Sequence, residues 1–360
     1  MLYEPLTLRS GAVVPNRIAL APLTNGQSLA DGRLGDDELA WLARCADGGF
    51  GLIETCAAYV GLDGKAWDGE LGVDRNEDLP GLTRLAARIR RGGALAIVQL
   101  FHGGVRATRR LSGQAVWSAS TWHEDAPTFE VPRAATTDDL ARVIEQFAAA
   151  ARRVQLAGFD GVELHGAHGY LLSQFLSAKM NPRDDGWGGD LVGRARLIRE
   201  ATRAVRARVG PRFTVGVRLS LEDWGAARGL DLDESIQVAR WLAEDGVDFV
   251  HASLWSSAAM TKKRPDQHPV PLLRAALPPA VCVIACGGIW TAADAIAIRE
   301  RGADLIAIGR AAICNPDWPI AARTPGWEPR RPPLSPAELA ERAVSPVFIG
   351  YLRKWKNFVA

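Results

Sequence analysis

The chain has 360 residues, 48% hydrophobic and 23% charged, enough apolar material for a large buried core. Its 43 Lys and Arg balance 41 Asp and Glu, so no basic field favours nucleic acid or an anionic membrane as a partner. No apolar run approaches the roughly 20 residues that a bilayer span requires, the N-terminus does not read as a signal peptide, and five scattered cysteines argue against a disulfide framework, so a cytoplasmic location is expected.

In chain order, short apolar segments alternate with amphipathic ones. "RIALAPLTN" reads as a strand and "DDELAWLARCADGGF" as the helix after it. The strands "GLIETCAAY" and "ALAIVQLF" follow, then a connection from Gly103 to about Thr136, then the helix "TTDDLARVIEQFAAAARRVQLAGFD". "GVELHGA" is a strand that runs through two glycines into the helical spacing of Leu171, Leu172, Phe175 and Leu176. "FTVGVRLS", the helix "DLDESIQVARWLAEDGVDFV" and "DFVHASLW" come next. A second long connection, Trp255 to about Pro269, precedes the last two strands, "VCVIACGGI" and "LIAIGRAAI". Thr or Asp stands at the N-cap of the two longest helices, with a glycine near each end. About eight βα units predict a single (β/α)8 TIM barrel domain over residues 1–360, with the barrel at about 6–320. Extended βα loops would hang from its catalytic face, and a C-terminal tail at about 321–360 would add one more helix. A doubly wound sheet would use fewer strands.

His165, His168 and Tyr170 fall at the end of one strand and in the loop after it, where catalytic groups gather in such barrels. The two histidines lack a third ligand at metal spacing, so no metal site is expected. A core histidine satisfied by backbone is a common alternative. Beside a tyrosine, the pair fits better as two N–H donors for a carbonyl or anionic oxygen, with a proton donor next to them. "CGGIW" and "IGR" place Gly287, Gly288, Gly309 and Arg310 after the seventh and eighth strands, a position that favours phosphate over plain turns. Thr24, Gln99 and Arg218 are polar side chains at other strand ends, too costly to bury unpaired. They read either as an internal ion-pair set or as the rim of one flat heteroaromatic ligand. Cys282 and Cys286 read as core thiols.

An ordered series of segments from about Leu6 to Trp318 resembles the Old Yellow Enzyme family of FMN-dependent NAD(P)H oxidoreductases. It comprises "LTLRSGAVVPNRIALAPLT", "QLFHGG", "ELHGAHGYLLSQFLSAKMNPRDDGWGGD", "VRLSLEDW", "ACGGI" and "ADLIAIGRAAICNPDWP". The resemblance implies FMN as cofactor and NADPH or NADH as reductant. It implies that Thr24 bonds the flavin's carbonyl edge, that Gln99 and Arg218 meet its pyrimidine part, and that Pro22 and Thr55 lie against the ring. Gly287, Gly288, Gly309 and Arg310 would grip the phosphate. His165 and His168 would bind the oxygen of a small substrate (an enone, enal or maleimide), and Tyr170 would donate the proton in a ping-pong ene-reductase cycle. Gly26 stands where relatives carry an aromatic residue, so a more open substrate pocket is expected. Asp190 and Gly193 replace a more usual Ser and Asn, with a local packing effect only. Some branches are homo-oligomers whose C-terminal arginine enters a neighbouring active site, a part that Arg353 could take. Competing readings are an oxidative amine demethylase, a flavin-free phosphate-sugar isomerase and a non-catalytic flavin sensor.

Overall fold

The computed structural model describes residues 1–360. Eight parallel strands form the frame: β1 (Ile18–Leu20), β2 (Leu52–Tyr59), β3 (Leu95–Phe101), β4 (Gly161–Gly166), β5 (Thr214–Leu219), β6 (Phe249–Ser253), β7 (Cys282–Cys286) and β8 (Leu305–Ile308). Each pairs with its neighbour in sequence, and β8 pairs with β1 through Ile306 with Ile18 and Ile308 with Leu20. That last pairing closes the sheet and leaves no barrel edge exposed. The molecule is a (β/α)8 TIM barrel.

One main helix follows each strand: α1 (Asp36–Asp47), α2 (Leu79–Arg91), α3 (Thr137–Leu156), α4 (Leu191–Val209), α5 (Leu232–Glu244), α6 (Pro269–Ala276), α7 (Ala292–Glu300) and the short α8 (Arg310–Cys314). The expected start signals hold. Thr136 accepts from the Asp139 N–H while Asp139 accepts from the Thr136 N–H, a reciprocal cap on α3. Asp231 caps α5 by accepting from the N–H groups of Asp233 and Glu234. Asp190, one of the departures from the family pattern, caps α4 by accepting from Gly193 N–H at 2.9 Å, a purely local role.

Alternate strand residues point into the barrel, as a period of two requires. Its floor is apolar: Ala19, Leu52, Ile97, Phe249, Cys282 and Leu305 pack together, and Leu8 and Val14 from the N-terminal hairpin (Leu6–Thr7 with Val13–Val14) close it from below. A Cβ on Gly216 would lie 2.0 Å from Cζ of Phe249. Only glycine lets that ring lie across the floor.

The tail differs from expectation. It forms two short helices, Pro336–Ala340 and Pro346–Leu352, where one was expected. Each starts on a serine N-cap followed by proline, and Ala343 between them sits at φ 59°, so the first helix cannot run on. Phe348 then packs edge-on against Trp41 of α1, with ring centroids 5.5 Å apart, which pins the tail to the barrel wall.

Candidate active site

β4 carries Glu163 and His165 on its inward face, and the loop after it carries His168 and Tyr170. His168 adopts φ 61°, a strained conformation for a residue other than glycine, and its N–H donates to Oγ of Ser220 at 3.0 Å. The turn brings three rings together. His165 lies 5.0 Å from both His168 and Tyr170, centroid to centroid, and Phe101 supports Tyr170 edge-on at 4.5 Å. Nδ1 of His165 accepts the Ala167 N–H at 3.2 Å, so its remaining proton belongs on Nε2. Burial, then the neighbouring His168 and Arg218, hold His165 well below the usual imidazole range; burial and then Arg218 do the same to His168. Burial, then Glu70, pushes the Tyr170 phenol up to about 12. At neutral pH the cluster is two neutral imidazoles and one protonated phenol.

Two cavities flank this cluster. One of about 350 Å³ is lined by Pro22, His168, Arg218, Gly287, Gly288, Gly309 and Arg310, with Trp355 of the tail as part of its wall. The other, about 550 Å³, is lined by Thr24, Gly26, Trp67 and Tyr170, and the tail contributes Val347, Tyr351 and Lys354. Residues 21–26 run along both, so the two cavities share a wall. Gly26 lines the second cavity, and a Cβ there would lie 3.5 Å from the Asp68 carbonyl oxygen and 4.0 Å from Cγ1 of Val347. The tail thus closes the site of its own chain. Arg353 is exposed at the end of the last helix and lines neither cavity.

The polar residues from the strands separate into two groups. Arg218 faces the first cavity. Its Nη2 donates to Oγ of Ser253 and Sγ of Cys286, both at 3.1 Å, while its Nε is buried without a partner. Gln99 and Thr55 are turned into the protein. Nε2 of Gln99 donates to Oε1 of Glu163 at 2.6 Å, and Oγ1 of Thr55 donates to the Cys56 carbonyl at 2.8 Å. Of the two readings open for Gln99, the internal one describes the contacts that it makes. Cys286 is buried in the core as expected. Burial alone would raise its thiol, but Arg218 and then His251 outweigh it and bring the group down to about 6.

Sequence reasoning missed Glu54, Glu163, His251 and Ser253. The first three bring ligand-type atoms within 4.8 Å of one another from β2, β4 and β6. Nδ1 of His251 meets Oε2 of Glu163 at 2.8 Å and Oε1 of Glu54 at 3.5 Å, and neither oxygen of Glu54 has a hydrogen-bond partner. An ionisable residue inside an apolar strand, the signal that singled out Arg218, was present in all three. Burial, then the Glu163 charge, raises Glu54 to about 8, against an ordinary 4.5. Between those values the folded chain holds a proton that the unfolded chain releases, so stability falls as pH rises through that window. Glu54→Gln removes the titration. The dependence of its thermal midpoint on pH between 5 and 8 is therefore expected to be flatter than that of the wild type, and parallel curves would contradict a protonated Glu54.

The first cavity suits a phosphorylated flavin. A Cβ on Gly287 (φ 145°) would meet the Leu254 carbonyl oxygen at 2.5 Å, so the backbone there stays bare towards the cavity. Arg310 makes no ion pair and lies 5.9 Å from the Trp355 ring, free to meet an anion. The orphaned Arg218 Nε is a donor that awaits an acceptor.

Residues 1–324 match the NADH:flavin oxidoreductase / NADH oxidase family. The chain belongs to the Old Yellow Enzyme family. It is 35% identical to the probable NADH-dependent flavin oxidoreductase YqiG of Bacillus subtilis, over 89% of this chain and 87% of that protein. It is 34% identical to the NADH:fumarate oxidoreductase of Klebsiella pneumoniae, over 91% of this chain but only 36% of that longer protein. The solved structure of the Old Yellow Enzyme homologue from Zymomonas mobilis superposes with a TM-score of 0.83 at 25% identity, covering 95% of this chain and 99% of the other. This family member is accordingly an NAD(P)H oxidoreductase that uses FMN. No helix is long and apolar enough to cross a membrane.

Proposed function

We propose that the protein is an ene-reductase, which reduces the activated C=C bond of small α,β-unsaturated carbonyl compounds in a ping-pong cycle. The observation that carries this reading is the neutral His165–His168 pair beside a protonated Tyr170 at the junction of the two cavities. FMN, when bound, would supply the two-electron carrier between NAD(P)H and the substrate. Arg218 and Arg310 would hold its pyrimidine edge and its phosphate respectively, with Gly287, Gly288 and Gly309 baring the backbone. Gln99, tied to Glu163, stands in the layer behind. Thr24 would bond the carbonyl edge and Pro22 would back the ring, with Thr55, turned into the protein, in the layer behind.

The histidines donate to the substrate's carbonyl oxygen. Negative charge grows on that oxygen as hydride arrives at the β-carbon, so both hydrogen bonds strengthen in the transition state. Neutral imidazoles suit this task, because they are donors without releasing a full proton to the oxygen. Tyr170, whose hydroxyl has no hydrogen bond within the protein, gives its proton to the α-carbon. An ammonium substrate, as in amine demethylation, would meet N–H donors where it needs acceptors. The enzyme would work in the cytoplasm, where NAD(P)H is at hand and its five unpaired thiols stay reduced.

The test is direct. Purified holoenzyme kept free of oxygen is expected to lose its visible flavin absorbance on addition of NADH or NADPH, and to recover it on addition of 2-cyclohexenone. Bleaching without recovery by any enone, enal or maleimide would remove the ene-reductase reading while leaving the family assignment intact.

A further inference from the structure

We propose that Ser253 is a positioning residue that fixes the tautomer of His168, so that the two histidines present opposite ring nitrogens, Nε2–H of His165 and Nδ1–H of His168, to one substrate oxygen. The inference rests on the clamp reading above and deepens it.

Ser253 closes β6, paired in register with Cys286 of β7. Its hydroxyl oxygen lies between two groups, Nη2 of Arg218 at 3.1 Å and Nε2 of His168 at 2.6 Å. A guanidinium has donors and no acceptor, so the Arg218 contact occupies a lone pair of Oγ. The hydroxyl still has one proton to give. Its other hydrogen-bond contact is with Nε2 of His168, at 2.6 Å. The proton of Ser253 therefore goes to Nε2 of His168. The rival acceptor is Sγ of Cys286, which also draws on the Ser253 hydroxyl, but the short hydrogen-bond contact of that hydroxyl is the one with Nε2 of His168. A neutral imidazole that accepts at Nε2 carries its hydrogen on Nδ1.

His165 is set in the reverse sense. Its Nδ1 accepts the Ala167 N–H, which leaves the hydrogen on Nε2. The two rings are inclined at 83° with centroids 5.0 Å apart. The chain Arg218–Ser253–His168 also ties the arginine of the flavin cavity to the substrate clamp. The Arg218 charge polarises the Ser253 hydroxyl, makes it a stronger donor, and helps to keep His168 neutral.

The test reads the tautomer itself. In holoenzyme labelled with 15N histidine, long-range 1H–15N correlation spectra distinguish a protonated Nδ1 from a protonated Nε2, and His168→Asn identifies the signal. Wild-type protein is expected to show His168 protonated at Nδ1 and His165 at Nε2. Ser253→Ala is expected to turn the His168 signal into a mixture and to weaken phenol binding roughly tenfold, the scale of one lost hydrogen bond. Ser253→Thr keeps the hydroxyl and is expected to restore both. A wild-type His168 protonated at Nε2 overturns the proposal without any variant, and so does a Ser253→Ala spectrum unchanged from wild type. If the tautomer responds as stated while phenol affinity ignores both histidines, the positioning stands and the clamp reading is what fails.

Discussion

Tyr170→Phe is expected to leave the reduction of FMN by NAD(P)H close to the wild-type rate and to slow enone reduction by roughly 10²–10⁴-fold, the usual contribution of a positioned general acid. The substitution is nearly isosteric. Phenylalanine keeps the edge-on contact with Phe101 and removes only a hydroxyl that bonds nothing in the protein. With its phenol held at about 12, Tyr170 is a proton carrier at every working pH, so the loss reflects chemistry and no change of ionisation. Hydride transfer from the nicotinamide needs no proton from this residue. Rapid mixing separates the two half-reactions, and equal slowing of both would point to a disturbed cofactor site and end the assignment.

The histidines should respond differently from the tyrosine. Removal of one preorganised donor from an oxyanion site costs about 2.7–4 kcal/mol, so His165→Ala and His168→Ala are each expected to slow enone reduction by roughly 10²–10³-fold. Each should also weaken phenol binding, since a phenolate imitates the oxygen of the developing enolate. His168→Asn should be milder than His168→Ala. Asparagine tolerates the left-handed backbone at this position and offers a side-chain N–H₂ in place of the imidazole N–H. Phenol titrations with all three variants decide the matter; unchanged affinity in both alanine variants would sink the clamp.

The order of strands and helices was legible because parallel strands buried on both faces are apolar runs, and the helices between them carry caps and a 3.6-residue period. The cluster of His165, His168 and Tyr170 was legible because it is local: one strand end and one turn contain it. The glycines after β7 and β8 were legible for the same reason. What stayed hidden depends on contacts between distant segments. Glu54, Glu163 and His251 meet from three strands, and no spacing within any one strand announces the meeting. Gln99 was read as a residue that could face a ligand, yet its amide turns to Glu163, one strand away in register. Cys286 is the core thiol that "VCVIAC" suggests, but the Arg218 contact to its sulfur comes from another strand. The tail was the least legible part. Its Ser-Pro steps at 335–336 and 345–346 signal two helix starts, but nothing in them says that Tyr351 and Trp355 return to the barrel mouth.

That return has a consequence for how the protein comes into being. Translation proceeds from the N-terminus at about 5–20 residues per second, and segments fold roughly in the order in which they emerge. The cofactor-facing ends of β1, β5, β7 and β8 are all made before Val347, Tyr351, Lys354 and Trp355. Without that segment the barrel would offer an open cleft; with it the cleft is a walled chamber. Assembly thus has an order: the strands that frame the cleft are made first, and the later segment walls it in.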